Sequence, residues 1–155
     1  MADIVDTATR SRMMSGIRST NTQPERHIRS LLHRHGLRFR LHVRDLPGKP
    51  DIVMPRFHAV LFVHGCFWHG HDCPLFRLPS TRPDFWQAKI DRNRDNDLRA
   101  ISALAAAGWR VASIWECALR GRNALDDETL LGSIVCWLQG NDRTLELVAR
   151  HEETA

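Results

Sequence analysis

Residues 64–73 read HGCFWHGHDC, placing three histidines, two cysteines and an adjacent Phe-Trp pair in ten positions. Thiolates and imidazoles are zinc ligands, and a structural zinc takes four N or S donors in a tetrahedron. Cys66, His71 and Cys73 lie at spacings that can converge in one loop. Cys117, in WECALRG, supplies a fourth donor if the apolar segment before it neighbours the one before the loop. The expectation is one structural zinc in a Cys₃His site that pins a loop carrying His64 and His69. The alternative is three unligated thiols, one of them buried. Cys136 falls at an apolar helical position and reads as a packing residue.

The elements that must position these groups follow from periodicity and punctuation. Residues 7–17 form a short basic helix with too little apolar surface to fold alone. A second helix starts at Thr22, with Pro24 in its first turn and Glu25 completing a T-x-x-E capping box. It buries Ile28, Leu31 and Leu32 and ends at Gly36. LRFRLHV (37–43) alternates apolar and cationic residues as a half-exposed strand does, DIVM (51–54) is a second strand, and the continuously apolar AVLFV (59–63) is a central third. The longest helix spans roughly 83–107, capped by Ser80 or Thr81, entered at Pro83 and closed by Gly108. It leads into a strand at 109–115, and a helix between two strands marks a crossover to a parallel neighbour. A last helix near 126–139 has acids in its first turn. The expected fold is α/β, a mixed sheet in a sandwich of helices. An N-terminal arm (1–20) precedes one domain (21–140), and the polar tail (141–155) adds little to the core.

The totals suit one globular domain: 155 residues, 43% hydrophobic and 26% charged. A chain of this size buries about 68–70% of its unfolded surface, so it needs neither metal nor disulfide merely to have a core. The opening MADIVDTATRSRMMSG lacks a secretory pattern and no apolar run approaches about 18 residues, so a cytoplasmic, membrane-free location is expected. The formal charge is +4, carried by twenty Arg and two Lys, Lys49 and Lys89. Ten cations against four acids in the first fifty residues suit a polyanion partner; an Arg-favouring genome explains the same bias equally well.

GKPDIVM places Asp51 directly after Pro50 at the start of a strand. This corner is similar to the Pro-Asp of the metal-dependent PD…(D/E)xK nucleases, in which the Asp holds Mg²⁺. The second half of that signature is missing, since Val63 stands where an acid is expected and no Lys follows two residues on. One family accommodates the departure. LPGKPDIV, HGCFWHGHDC, FWQAKI, GWRV and WECALRGR resemble the very short patch repair (Vsr) DNA mismatch endonucleases, over roughly 115 residues from ATRSRMMSGI through WECALRGR.

The resemblance implies a restriction-endonuclease-like fold, a PD-(D/E)xK variant. It implies Mg²⁺-dependent nicking of one DNA strand 5′ to the T of a T·G mismatch left by deamination of 5-methylcytosine. Asp51 and the Val63 backbone carbonyl would hold Mg²⁺, two ions in all, with phosphate oxygens and waters completing the shells. His69 would be the general base and His64 would order water or phosphate, roles that could be exchanged. Glu25 would reach the metal through water, although its capping box is a sufficient reason for its presence. Phe67, Trp68 and Trp86 would wedge into the stack at the mismatch, where unstacking costs least; helix-to-sheet packing is the other reading of Trp86, and Phe85 and Ile90 look more natural in the core. Lys89 and Asn93 would read base edges or face solvent. Met14, flanked by Arg10, Arg12 and Arg18, would enter the minor groove, and Arg120 and Arg122 would hold phosphates. The expected partners are mismatched double-stranded DNA and mismatch-repair proteins, and the enzyme acts as a monomer. Two readings compete: a nuclease of the same fold with a restriction-type target, and a non-catalytic zinc protein that binds DNA.

Overall fold

A computed structural model describes residues 22–150. The expected helix over 7–17, with Met14, Arg10, Arg12 and Arg18, lies outside them. The first described helix, α1 (Gln23–Arg34), starts where its capping box places it. Thr22 is extended, and its hydroxyl oxygen accepts from the Glu25 amide at 3.4 Å. Ile28, Leu31 and Leu32 form its buried face, and Gly36 follows in a left-handed conformation (φ +82°) that suits a residue without Cβ.

Residues 37–43 alternate in burial as expected, but they form no strand. Arg40 alone bridges to Val53, through hydrogen bonds of 2.7 and 2.9 Å. His42 then turns left-handed (φ +58°). Leu37, Phe39 and Leu41 therefore pack on the core at one face of the sheet, and Val43 and Leu46 on the core at the other. Alternation settles which side chains are buried; a ladder also needs consecutive extended residues, and His42 interrupts them.

The sheet runs β1 (Ile52–Met54), β2 (Ala59–His64), β3 (Arg110–Trp115) and β4 (Thr144–Leu147), adjacent in that order. A short turn at Pro55–Phe57 returns β1 into antiparallel β2. The long helix α2 (Pro83–Ala106) carries the chain across to β3, which lies parallel to β2, the expected crossover. Its start differs from expectation: neither Ser80 nor Thr81 caps it. Arg82 occupies the cap position (φ +55°) without a side-chain cap bond, and its guanidinium lies 4.5 Å from the Phe85 ring centre. A turn, α3 (Glu116–Leu119), follows β3. In α4 (Asp127–Gln139), Asp126 is the N-cap, accepting from the Thr129 amide at 2.7 Å. The tail is not a bystander: β4 pairs parallel with β3 and buries Leu147.

Sheet pleating separates two cores. Ile52, Met54, Ala59, Leu61 and Val63 face α1 and α4, whereas Val53, Val60 and Phe62 face Leu104 of α2. Among the described residues no helix is long and apolar enough to cross a membrane.

Arg110 joins the last turn of α4 to the sheet. Its guanidinium donates to the carbonyls of Trp137, Leu138 (3.1 Å), Gly140 (3.2 Å) and Asp142 (3.0 Å), and lies 4.7 Å from the Trp137 ring centre. The last carbonyls of a helix have no intrahelical donor, and a cation there also meets the negative end of the helix dipole. Arg110→Ala should lower the unfolding free energy by about 3 kcal/mol, read from urea denaturation followed by far-UV circular dichroism; an unchanged midpoint would contradict this role.

Candidate active site

Because β1 and β2 are antiparallel, the start of one lies beside the end of the other. Asp51 precedes β1 and accepts the Val63 N–H at 2.7 Å through Oδ2. In a strand, one residue's N–H and C=O point to the same side, so the Val63 carbonyl also faces the Asp51 edge. Extending the register from the Ile52–Leu61 pair places Pro50 opposite Val63, and proline has no N–H to offer that carbonyl. Glu25 approaches from α1, 2% exposed and paired with Arg29 at 3.0 Å. Glu25, Arg29, His42, Arg44, Lys49 and Asp51 line one cleft of about 130 Å³. Burial pushes the Asp51 carboxyl up to about 7, and the neighbouring Glu25 charge adds to this; the Val63 amide, Arg29 and His69 pull the other way.

His64 ends β2 and is buried. Its ring centre lies 5.6 Å from Phe62, 4.6 Å from His69 and 4.7 Å from Trp115. Burial, then the His69 charge, lowers its pKa to about 4, so its ring is neutral at neutral pH. His69 is hydrogen-bonded through Nδ1 to the Asp97 carboxylate. A carboxylate only accepts, so Nδ1 carries a proton, and in the neutral ring Nε2 is left as the acceptor. Donor atoms of His64, His69 and Asp97 all lie within 4.8 Å of one another. Asp97 was missed in the sequence, although a signal was there. Ile90, Ala100 and Leu104 are the buried stripe of α2, and the stripe's 3,4 spacing passes through Asn93 and Asp97: two polar residues on a face that otherwise seeks the core.

The thiols gather as expected. Donor atoms of Cys66, His71, Cys73 and Cys117 lie within 4.8 Å of one another. His71 Nδ1 is 3.5 Å from Cys66 Sγ and 3.6 Å from Cys117 Sγ. The Cys117 amide donates to Cys66 Sγ at 3.3 Å, and the Ala149 amide, just past β4, to Cys117 Sγ at 3.4 Å. The His71 ring stacks on Trp115 with centres 4.1 Å apart. This group can hold a metal ion.

Beside it, Phe67 lies 5.1 Å from Trp68 and 5.6 Å from Trp86, ring centre to ring centre. Lys89 Nζ sits 5.2 Å from the Trp68 ring centre and 5.8 Å from that of Trp86. Gly70 (φ +59°) lets the loop approach α2, where an added Cβ would lie 2.7 Å from Ile90 Cγ2. The Asn93 amide donates to the Trp68 carbonyl at 2.8 Å and braces the aromatic loop. Ile90 is in the core, but Phe85 is 43% exposed and Cys136 is exposed, against expectation. Arg120 pairs with Glu116 at 3.1 Å and, like Arg122, is exposed.

The two shifted groups oppose each other in their effect on stability. Asp51 titrates higher folded than unfolded, so its contribution is present below its ordinary 3.8 and lost as pH rises to about 7. His64 titrates lower folded, so its contribution is present above 6.5 and lost as pH falls to about 4. With no divalent cation added, the two offset each other between roughly pH 4 and 6.5. Asp51→Asn removes one arm. Its urea midpoint should climb more steeply than the parent's from pH 4.5 to 6.5, and parallel profiles would count against the buried carboxyl.

Residues 2–75 match the family described as DNA mismatch endonuclease Vsr. The chain is 46% identical over 147 residues to the DNA mismatch endonuclease Vsr of Escherichia coli (strain K12), covering 95% of this chain and 94% of the relative. It is 54% identical over 126 residues to the Type II nicking enzyme V.XorIIP of Xanthomonas oryzae pv. oryzae, covering 81% and 93%. It is 39% identical over 122 residues to the Type II nicking enzyme V.NmeAIP of Neisseria meningitidis serogroup A, covering 79% and 87%. With likeness of this extent on both sides of the acid cleft and the thiol cluster, the chain belongs to the Vsr family of DNA mismatch endonucleases.

Proposed function

We propose that this endonuclease nicks double-stranded DNA on one strand, 5′ to the T of a T·G mismatch left by deamination of 5-methylcytosine, and so starts very short patch repair. It does so with Mg²⁺, on a restriction-endonuclease-like scaffold, as a monomer in the cytoplasm at the nucleoid, where mismatch-repair proteins are within reach. The observation that carries the reading is the corner where Asp51 meets Val63 beside Glu25. The corner fits a hard cation. It offers carboxylate oxygens, a carbonyl facing a proline, and an acid whose charge is costly in the absence of a cation. Asp51 and the Val63 carbonyl would hold Mg²⁺, two ions in all with phosphate oxygens and waters completing the shells, and Glu25 would act through water. Mg²⁺, when bound, polarises the phosphate and stabilises the leaving oxyanion.

The chain's own groups divide the remaining work. His69 Nε2 takes the proton of the attacking water, with Asp97 holding the ring in that tautomer and stabilising the imidazolium that forms. His64, buried and neutral, donates or accepts one hydrogen bond to orient water or phosphate. Phe67, Trp68 and Trp86 present a rigid aromatic edge that replaces stacking lost at a mispair, and Lys89 sits against it facing the DNA charge. Arg120 and Arg122 contact backbone phosphates, and Met14 enters the minor groove.

The Cys66, His71, Cys73 and Cys117 set fits zinc. Bonds of about 2.3 Å to sulfur and about 2.0–2.1 Å to nitrogen, at tetrahedral angles, place S and N roughly 3.6 Å apart, and the observed separations are 3.5 and 3.6 Å. Zinc there would staple the aromatic loop to the end of β3.

A second reading has its own support, since a 54% identical relative is named a Type II nicking enzyme. A panel of duplexes separates the two. With Mg²⁺ the protein should nick a T·G duplex and spare its T·A control, and equal cleavage of both favours the second reading. Asp51→Asn should abolish nicking while leaving duplex affinity in gel shifts within about threefold, as expected for a group that holds a cation used in the chemical step. Cys73→Ala should lose zinc by atomic absorption and yield less folded protein; full zinc content in the purified variant removes Cys73 from the ligand set.

A further inference from the structure

Both lysines of this arginine-rich chain lie at the candidate site. Lys89 sits against the aromatic edge. Lys49 lines the acid cleft with Glu25 and Asp51, two residues before Asp51. Were codon bias the whole story, the two exceptions would have no reason to flank one site. Lysine differs from arginine in being a compact ammonium rather than a broad fork, and the cleft has little room, with Arg29 already paired to Glu25.

The backbone around Lys49 is unusual and firmly placed. Gly48 (φ +71°) and Lys49 (φ +48°) are consecutive left-handed residues, and the Lys49 amide donates to the Leu46 carbonyl at 3.1 Å. A Cβ on Gly48 would lie 2.5 Å from Ala100 Cβ, so the turn presses directly on α2. Pro50, which follows, is buried. A non-glycine residue held at positive φ is costly and persists where its surroundings over-determine it, often at functional sites. Counted along the β1–β2 register, position 49 stands across from His64, next to the point just past β2 where the nuclease signature expects its lysine and this chain has Gly65.

From this placement we propose that Lys49 contacts the phosphate being cleaved, supplying from the approach to β1 the cation that the signature normally supplies from β2. Its ammonium stands where charge builds on the non-bridging phosphate oxygens during displacement, and a fixed cation there favours the transition state over the ground state. The inference rests on the nicking activity proposed above.

The test uses Lys49→Asn, because Asn tolerates the left-handed conformation while removing the charge, and Lys49→Arg. Single-turnover nicking of the T·G duplex with Mg²⁺ should fall on the order of 100-fold in Lys49→Asn, with the melting temperature retained. Lys49→Arg should recover most of the rate. Without added Mg²⁺, the slope of log affinity against log salt should fall by about one in Lys49→Asn, the signature of one lost phosphate contact. A Lys49→Asn rate within about threefold of the parent would overturn the proposal. Should the parent itself fail to nick the T·G duplex, the mismatch reading fails separately. The salt slope then decides Lys49 alone: an unchanged slope removes it from the phosphate, and a slope reduced by one keeps it there.

Discussion

The hydrogen bond from the Val63 amide to the Asp51 carboxylate organises the site. It ties the start of β1 to the end of β2 just where the ladder must stop, because Pro50 has no amide to continue it. A side chain thus takes the place of a backbone partner. It brings a carboxylate and a main-chain carbonyl to one point, with Glu25 alongside. Burying the carboxylate there disfavours its charge, a penalty that a bound cation would relieve.

The other half of the site depends on the parallel pairing of β2 and β3. His64 stands beside Trp115 in register, so the loop after β2 and the turn after β3 leave the sheet together. The thiols of Cys66 and Cys117, fifty-one residues apart, meet for that reason. α2 closes the arrangement from the opposite face: Asp97 reaches His69, Asn93 reaches the Trp68 carbonyl and Ile90 packs against Gly70. One helix therefore supports both the His69 imidazole and the aromatic edge.

Much of this was legible because the signals were local. The Thr22 cap, the apolar run of β2, the crossover to β3 and the clustering of Cys66, His71 and Cys73 each depend on residues a few positions apart, where propensity and spacing act directly. The failures share a cause. The strand expected over 37–43 has the right alternation but one bridge, since a left-handed His42 cannot be seen in a hydrophobic pattern. The tail reads as polar, yet 144–147 become an edge strand because β3 offers them unpaired backbone groups. Ser80 and Thr81 are good cap types, but the cap position falls on Arg82, whose guanidinium lies over the Phe85 ring.

By itself the sequence determined the donor types: hard oxygens at Asp51 and Glu25, soft thiols with His71, imidazoles at His64 and His69, and a Phe-Trp pair between them. It also determined the strands and helices that carry them, since these follow from short-range sterics and burial patterns. Only the tertiary structure decided which groups meet. It joined Asp97 to His69, tied Asn93 to the Trp68 carbonyl, and set Lys49 at the acid cleft. Those pairings span long stretches of chain, and their distances are set by how strands register and helices pack, which no local spacing encodes.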